Sequence, residues 1–166
     1  DLTVTGVPFR VDSMTTGEQE AGQVTVLNDG GAAFAWQSGA RSHQHIFVRF
    51  LSSSNNWETG DVMVNSATNK FQTTPVIATL LNGNVALVYV SMNQAGDGSM
   101  ADVYLQMLAP DGSRIGGETL VNQFTVNNQR SPAIAPLADG KLAIAWVSEQ
   151  QRWTDASNGV PSVDWT

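Results

Sequence analysis

His43 and His45 stand two residues apart, so an extended segment places both imidazoles on one side, which is how a transition-metal site can begin. No third ligand lies nearby in sequence, and the pair occurs once. A second cluster lies in the Gly-containing acidic stretch 93–102, where Asn93, Asp97, Ser99 and Asp102 offer oxygen donors at short spacing. Such donors in a turn can hold calcium, with Asn93, Asp97 and Asp102 as its ligands, although the spacing does not follow the EF-hand loop. A third cluster, Arg152, Trp153, Asp155 and Asn158, combines charge, a planar amide and an aromatic face. With Arg41, His43, Asn93, Asp97 and Asp102 it makes a set that can donate to, accept from and stack on a polar ligand.

These residues share a position in a pattern. Three segments superimpose without a gap, at 11–38, 64–91 and 121–148. Gln19, Gln72 and Gln129 correspond, as do Val11, Val64 and Val121. So do Gly30, Gly83 and Gly140, the aromatic trio Trp36, Tyr89 and Trp146, and the serines at 38, 91 and 148. Each set is offset by 53 and then 57 residues. Five kinds of position held in one register mark an internal repeat. A second block, 46–64 against 103–121, extends it. The segments that vary are those after the repeat serine: 39–45, 92–102 and 149–161. The candidate ligand residues lie in them, and stacked copies would bring them to one rim. Variable loops are also what an unconstrained surface looks like.

Each unit reads as four short strands. The first covers Phe9–Val11, Val62–Val64 or Thr119–Val121. The second covers Gln23–Leu27, Val76–Leu81 or Ala133–Leu137. A glycine turn leads to the third, Ala32–Gln37, Val85–Val90 or Leu142–Val147. The fourth covers Ile46–Leu51 or Val103–Leu108, with Ser162–Trp165 as the copy in the last unit. Pro75 and Pro132 are expected at the start of the second strand, where a missing N–H is tolerated. In the third strand bulky residues alternate with small ones: Phe34 and Trp36 with Ala33 and Ala35, Ile144 and Trp146 with Ala143 and Ala145. Both faces are apolar, as in a sheet covered on both sides. The large face of one unit can then fill the small face of the next, the logic of propeller blades. Trp36, Tyr89 and Trp146 are expected in the core. Trp57 aligns with Arg114 and is expected at the surface. With Trp153 and Trp165 it falls outside the aromatic pattern, so a ligand or interface role is open to these three. The repeat glutamines and Asp12, Asn65 and Asn122 are expected to hydrogen-bond backbone between strands or units. A ligand site in every unit is the alternative.

The pattern V-N-x-x-T-x-x-x-Q-x-x-P-x-I-A, followed by D-G and I-A-W-x-S, is fullest in the third copy. It resembles tandem repeats of large secreted bacterial proteins, whose units are similar to FG-GAP-like propeller blades and which often carry RTX-type calcium repeats elsewhere. The resemblance covers residues 8–148 and departs at Gly22 and Asp12. It implies a propeller-like fold and an extracellular location, and it carries no catalytic residue.

Composition narrows the function classes. Of 166 residues 14% are charged and the net charge is −7, which argues against nucleic acid, since phosphate binding needs clustered cations. With no cysteine, disulfides and thiolate chemistry are excluded. No apolar run is long enough for a membrane span. Asp1 reads as a processed or internal start. No G-x-S-x-G, H-E-x-x-H or phosphate loop occurs, so catalysis is not expected. The reading is an all-β chain of antiparallel four-stranded blades, about three propeller-like repeats (units about 7–61, 62–118 and 119–166), in an incomplete ring. Self-association or a partner segment would complete it. The expected function is secreted, non-catalytic binding of a glycan or cell-surface polysaccharide, with no cofactor other than a possible calcium ion. The alternative is a self-assembling structural subunit of a filament, coat or adhesin.

Overall fold

A computed structural model describes residues 6–96 and 99–149, and the backbone of 151–154 and 162–165. Among these residues every regular element is a strand. In chain order they are β1 Glu18–Val26, β2 Ala32–Gly39, β3 His45–Leu51, β4 Val62–Met63, β5 Gln72–Thr79 and β6 Val85–Met92. Then follow β7 Ser99–Leu108, β8 Arg114–Leu120, β9 Asn127–Pro136, β10 Leu142–Ser148, β11 Gln151–Thr154 and β12 Ser162–Trp165. The first sheet runs β1-β2-β3-β4, four-stranded and antiparallel as expected, but its fourth member is Val62–Met63, which the sequence pattern assigns to the start of the second unit. The second does not stop at four. It runs β10-β9-β7-β6-β5, with β8 also paired to β7. Its extra strands join because β7 begins early enough for Ser99 and Ala101 to pair in parallel with Asn127 and Asn128. β11 and β12 form a separate two-stranded sheet. Thus Ser162–Trp165 is a strand as expected, but its partner lies in what reads from sequence as a loop. No closed barrel or ring forms among the described residues.

The repeat register is visible in the hydrogen bonds. Gly30, Gly83 and Gly140 all take φ between 82° and 87°, and each N–H closes a turn on Leu27, Leu80 or Leu137 at 3.0 Å. Glycine enters that region without a Cβ penalty. The side chains of Asp29, Asn82 and Asp139 each accept the amide two residues on, tightening the same turn. Across each hairpin the repeat Gln faces the repeat Ser: Gln19 opposite Ser38, Gln72 opposite Ser91, Gln129 opposite Ser148.

Three expectations need correction. The second strand of each unit starts four to six residues early, at Glu18, Gln72 and Asn127. A bulge in the middle lets it continue, with Ala21, Thr74 and Ser131 at φ of 53°, 49° and 54°. Pro75 and Pro132 follow those residues, so the missing N–H falls at the bulge and not at a strand start. Phe9–Val11 forms no strand, while β8 begins at Arg114.

The core sits at the joint between the first two units. Ala33, Ala35, Ile46, Val48 and Phe50 of the first pack against Val85, Leu87, Tyr89, Tyr104 and Leu108 of the second. A small face therefore receives a large one, as the alternation requires. Trp36 and Tyr89 are buried, but Trp146 is 37% exposed. β10 ends the order of its sheet, so among the described residues no further strand flanks its tryptophan there. Trp57 is not a surface residue of the expected kind. It packs edge-on to Phe9 and Phe34, with the Arg49 guanidinium 4.1 Å from its ring.

Polar staples hold the joint. Asn65 accepts the Ile46 N–H at 2.9 Å, and Asn122 accepts the equivalent Val103 N–H at 2.7 Å. Gln72 donates to Ser91 and to the Ala67 carbonyl. Ser13 donates to Asp61, and Ser66 donates to Glu118 one repeat later. Burial opposes ionisation of Glu118. Hydrogen bonds from Ser66, Tyr89 and Gln94 outweigh it and hold the carboxyl below its ordinary value of 4.5. A group with a lowered native pKa stabilises the fold above its unfolded pKa, and that contribution fades as pH falls through the native one. Glu118→Gln should therefore lower stability by about 1 kcal/mol near neutral pH and by progressively less in acid, as pH falls through the lowered native pKa. Denaturant midpoints of both proteins at neutral and at acid pH test this. An equal gap at both would remove the carboxylate from the account.

Candidate functional site

Where β1 meets the start of β5, a polar cleft of about 420 Å³ opens between the first and second units. Glu18 and Glu20 reach it from β1, Gln37 from β2, Arg41, Ser42 and Gln44 from the β2–β3 connection, and Phe71 and Thr73 from the second unit. Gln37 and Gln44 are 5% and 3% exposed, so their amides must find partners inside the protein. Gln37 donates to Glu20 at 2.9 Å and to the side-chain Oε1 of Gln44 at 3.1 Å, and Gln44 donates to Glu20 at 3.3 Å. In return the Gln37 oxygen accepts the Thr73 hydroxyl at 2.7 Å and the Thr74 amide at 2.9 Å. Thr74 is the bulge residue of β5, so the left-handed turn there aims its N–H at Gln37. The result is an exposed carboxylate oriented by two buried amides, with a cationic side chain and an aromatic ring at the same opening. Hydroxyl-rich ligands match such a surface, since carboxylates and amides pair with hydroxyls and rings cover C–H faces.

The same place recurs one joint later. Thr73, Val90 and Ala101 occupy the positions of Glu20, Gln37 and Gln44, and Asn128 and Arg130 those of Phe71 and Thr73. That cleft is lined largely by Val90, Met92 and Ala101. Arg130 is engaged there by Glu149, which also accepts from Asn128 at 2.9 Å. The two clefts share a scaffold and differ in chemistry.

Among the described residues, those singled out from sequence are not gathered in one place. Arg41 lines the first cleft. His43 is exposed on the same connection, its Nδ1 3.4 Å from the Arg41 carbonyl. His45 turns inward, with Nδ1 2.8 Å from the Gln72 Oε1 and 3.2 Å from the Asn65 amide, so the two imidazoles do not share a site. Among the described residues no group of three metal-ligating side chains converges. Asn93 is exposed in the left-handed region and its N–H donates to Met100 at 2.7 Å. Asp102 is fully buried, with Oδ1 accepting Asn122 at 2.7 Å and Oδ2 accepting Ser99. Both of its oxygens are taken by protein donors, which removes it from the rim. Asp97, Asp155 and Asn158 lie outside the described residues. Arg152 and Trp153 fall on β11, where only the backbone is described.

The cleft residues Glu18, Glu20, Gln37 and Gln44 were not singled out from sequence. Their signal was present, because Gln37 breaks an apolar strand position held by Val90 and Val147, and Gln44 stands where the next copy has Ala101. Departures from the repeat marked the cleft, three of whose residues, Arg41, Ser42 and Gln44, lie in the first variable segment.

No family model matches the chain, and no curated protein matches it. Among solved structures, an endo-arabinase from Bacteroides thetaiotaomicron is similar over 98% of this chain at 12% identity, with a TM-score of 0.58. This chain spans 61% of the length of that protein. At this identity the likeness shows a shared fold. It also overturns the expectation that catalysis is absent, since the protein sharing the fold is an enzyme. The linear motifs sought in the sequence report nucleophiles, metals and phosphate loops. Carboxylates brought together from separate strands leave no such motif.

Proposed function

We propose that this chain interacts with carbohydrate, and that the polar cleft between its first two units is where the sugar is held. The cleft carries the proposal: an exposed carboxylate, Glu20, held by two buried glutamine amides beside Arg41, Thr73 and Phe71. The fold likeness to an endo-arabinase supports it and directs the choice of ligands toward arabinose-containing oligosaccharides. In this reading Glu20 and Arg41 pair with sugar hydroxyls, Phe71 covers a ring face, and Gln37 and Gln44 fix the carboxylate. We further take the repeat units as propeller-like blades and the setting as extracellular, on the strength of the repeat pattern and the acidic, cysteine-free composition.

Titration calorimetry with a panel of plant and bacterial oligosaccharides tests the proposal. Glu20→Gln should weaken binding about tenfold, the size of a lost charge-assisted hydrogen bond. Thr73→Ala in the same cleft removes one donor to the Gln37 oxygen and should weaken binding less. Unchanged affinity in Glu20→Gln would move the site away from the cleft. Product analysis of the same mixtures shows whether the bound sugar is also cleaved.

A further inference from the structure

The joint between units one and two is built from two unlike halves. One half is the small face, Ala33, Ala35 and Leu27; the other is the large face, Leu87 and Tyr89 with Ile77 packed against it. Each half recurs on the far side of the first or third unit: the large face of the first is partly covered, with Trp36 5% exposed and Phe34 edge-on to Phe9 and Trp57, and the small face of the third is exposed among the described residues. In the first unit Val24, Phe34 and Trp36 hold the positions of Ile77, Leu87 and Tyr89. Val24 is 60% exposed there, and with Phe34 and Trp36 it lines an open cavity of about 310 Å³. In the third unit Ala143 and Ala145 hold the positions of Ala33 and Ala35, and both are exposed. Leu137 holds the position of Leu27 and Leu80; those two are each 8% exposed, whereas Leu137 is 43% exposed. Among the described residues, β1 and β10 belong to different sheets and do not pair.

We propose that the open small face of the third unit receives the open large face of the first unit of a second copy of this chain. The contact would repeat, between molecules, the interface that each molecule already forms between its own first two units. It is heterologous, because each copy contributes a different face at each contact. Two copies carry both halves twice, so two contacts related by a twofold axis close six units into one assembly. The buried surface is apolar, while each copy carries a net charge of −7. Added salt should therefore strengthen pairing by screening the repulsion. Glu20 lines both the cavity of about 310 Å³ and the sugar cleft, but the proposed contact is made by the apolar faces, and the variants that test it leave Glu20 in place.

Sedimentation velocity of the 166-residue chain over a concentration series is the test. Wild type should form a two-copy species whose share rises with concentration and with salt. Val24→Lys blocks one face and Ala145→Lys the other. Both positions are exposed, so circular dichroism should show an unchanged fold, and each variant alone should remain a single copy. An equimolar mixture retains one intact contact and should form a pair containing one of each. A wild type that remains single throughout would overturn the proposal and assign the faces to a different occupant. A mixture that fails to pair under conditions where wild type pairs would also overturn it, because like-with-like contact would then explain the dimer.

Discussion

Replacing Phe50 with alanine is expected to destabilise the fold by about 3–5 kcal/mol. Its ring is fully buried in the cluster that joins the first two units. It lies against Gly112 in the turn between β7 and β8, so truncation opens a void across the joint as well as within one sheet. Neighbours drawn from paired strands cannot collapse into that void without breaking register. The repeat supplies an internal control. Met107 occupies the equivalent position in the second unit and is only half-buried. Met107→Ala should cost about 1–2 kcal/mol, since a smaller part of the side chain leaves contact. Equilibrium urea unfolding measures both. Equal losses would mean that the first joint is no better packed than the second.

Asn122→Ala is expected to cost about 3 kcal/mol or more, and more than the equivalent Asn65→Ala. Asn122 serves three groups at once: it accepts the Val103 N–H, and donates to Asp102 and to the Phe124 carbonyl. Asp102 is fully buried, and without Asn122 it keeps only Ser99 as a donor. An uncompensated buried carboxylate is among the costliest defects a protein can carry. Asn65 faces His45 in the same place, and that half-buried ring retains Gln72 as a partner. Asn65→Ala should therefore cost about 1–2 kcal/mol. Combining Asn122→Ala with Asp102→Ala should recover part of the loss, because the orphaned carboxylate is removed with its partner. Strict additivity in that double-mutant cycle would show that the two side chains do not act together.

The Asn122–Asp102 pair shows how far a repeat can be read. The recurrence of Asn65 and Asn122 pointed to backbone bonding between strands, and both make that bond. What the recurrence could not indicate is that the second donor of each amide meets a histidine in one unit and an aspartate in the next. Asp102 looked like a calcium ligand in a polar loop because its neighbours in sequence are Gly, Ser and Asp. In space its neighbours are Asn122 and the interior, and the side chain belongs to the scaffold. Trp57 erred in the opposite direction. Alignment with Arg114 suggested exposure, and Arg114 is exposed while donating to the Met63 and Asn65 carbonyls, but Trp57 is half-buried against Phe9 and Phe34 of its own unit.

Within the chain, sequence alone determined what depends on local periodicity and on turn stereochemistry. Alternation with a period of two fixes which residues share a sheet face. The conformational freedom of Gly30, Gly83 and Gly140 fixes where the strands reverse. Equal offsets fix which positions are equivalent. Tertiary structure decided everything that depends on how one unit lies against the next. It placed the bulges at Ala21, Thr74 and Ser131, where pairing with the neighbouring strand holds non-glycine residues at positive φ. It merged the second and third units through a short parallel pairing. It assembled Glu20, Gln37, Gln44 and Thr73 into one cleft from segments up to 53 residues apart. The physical reason is that strand and turn preferences act over a few residues, whereas a cleft is the space left between two surfaces. Its contents are set by the stacking of whole sheets, which no single stretch of chain encodes.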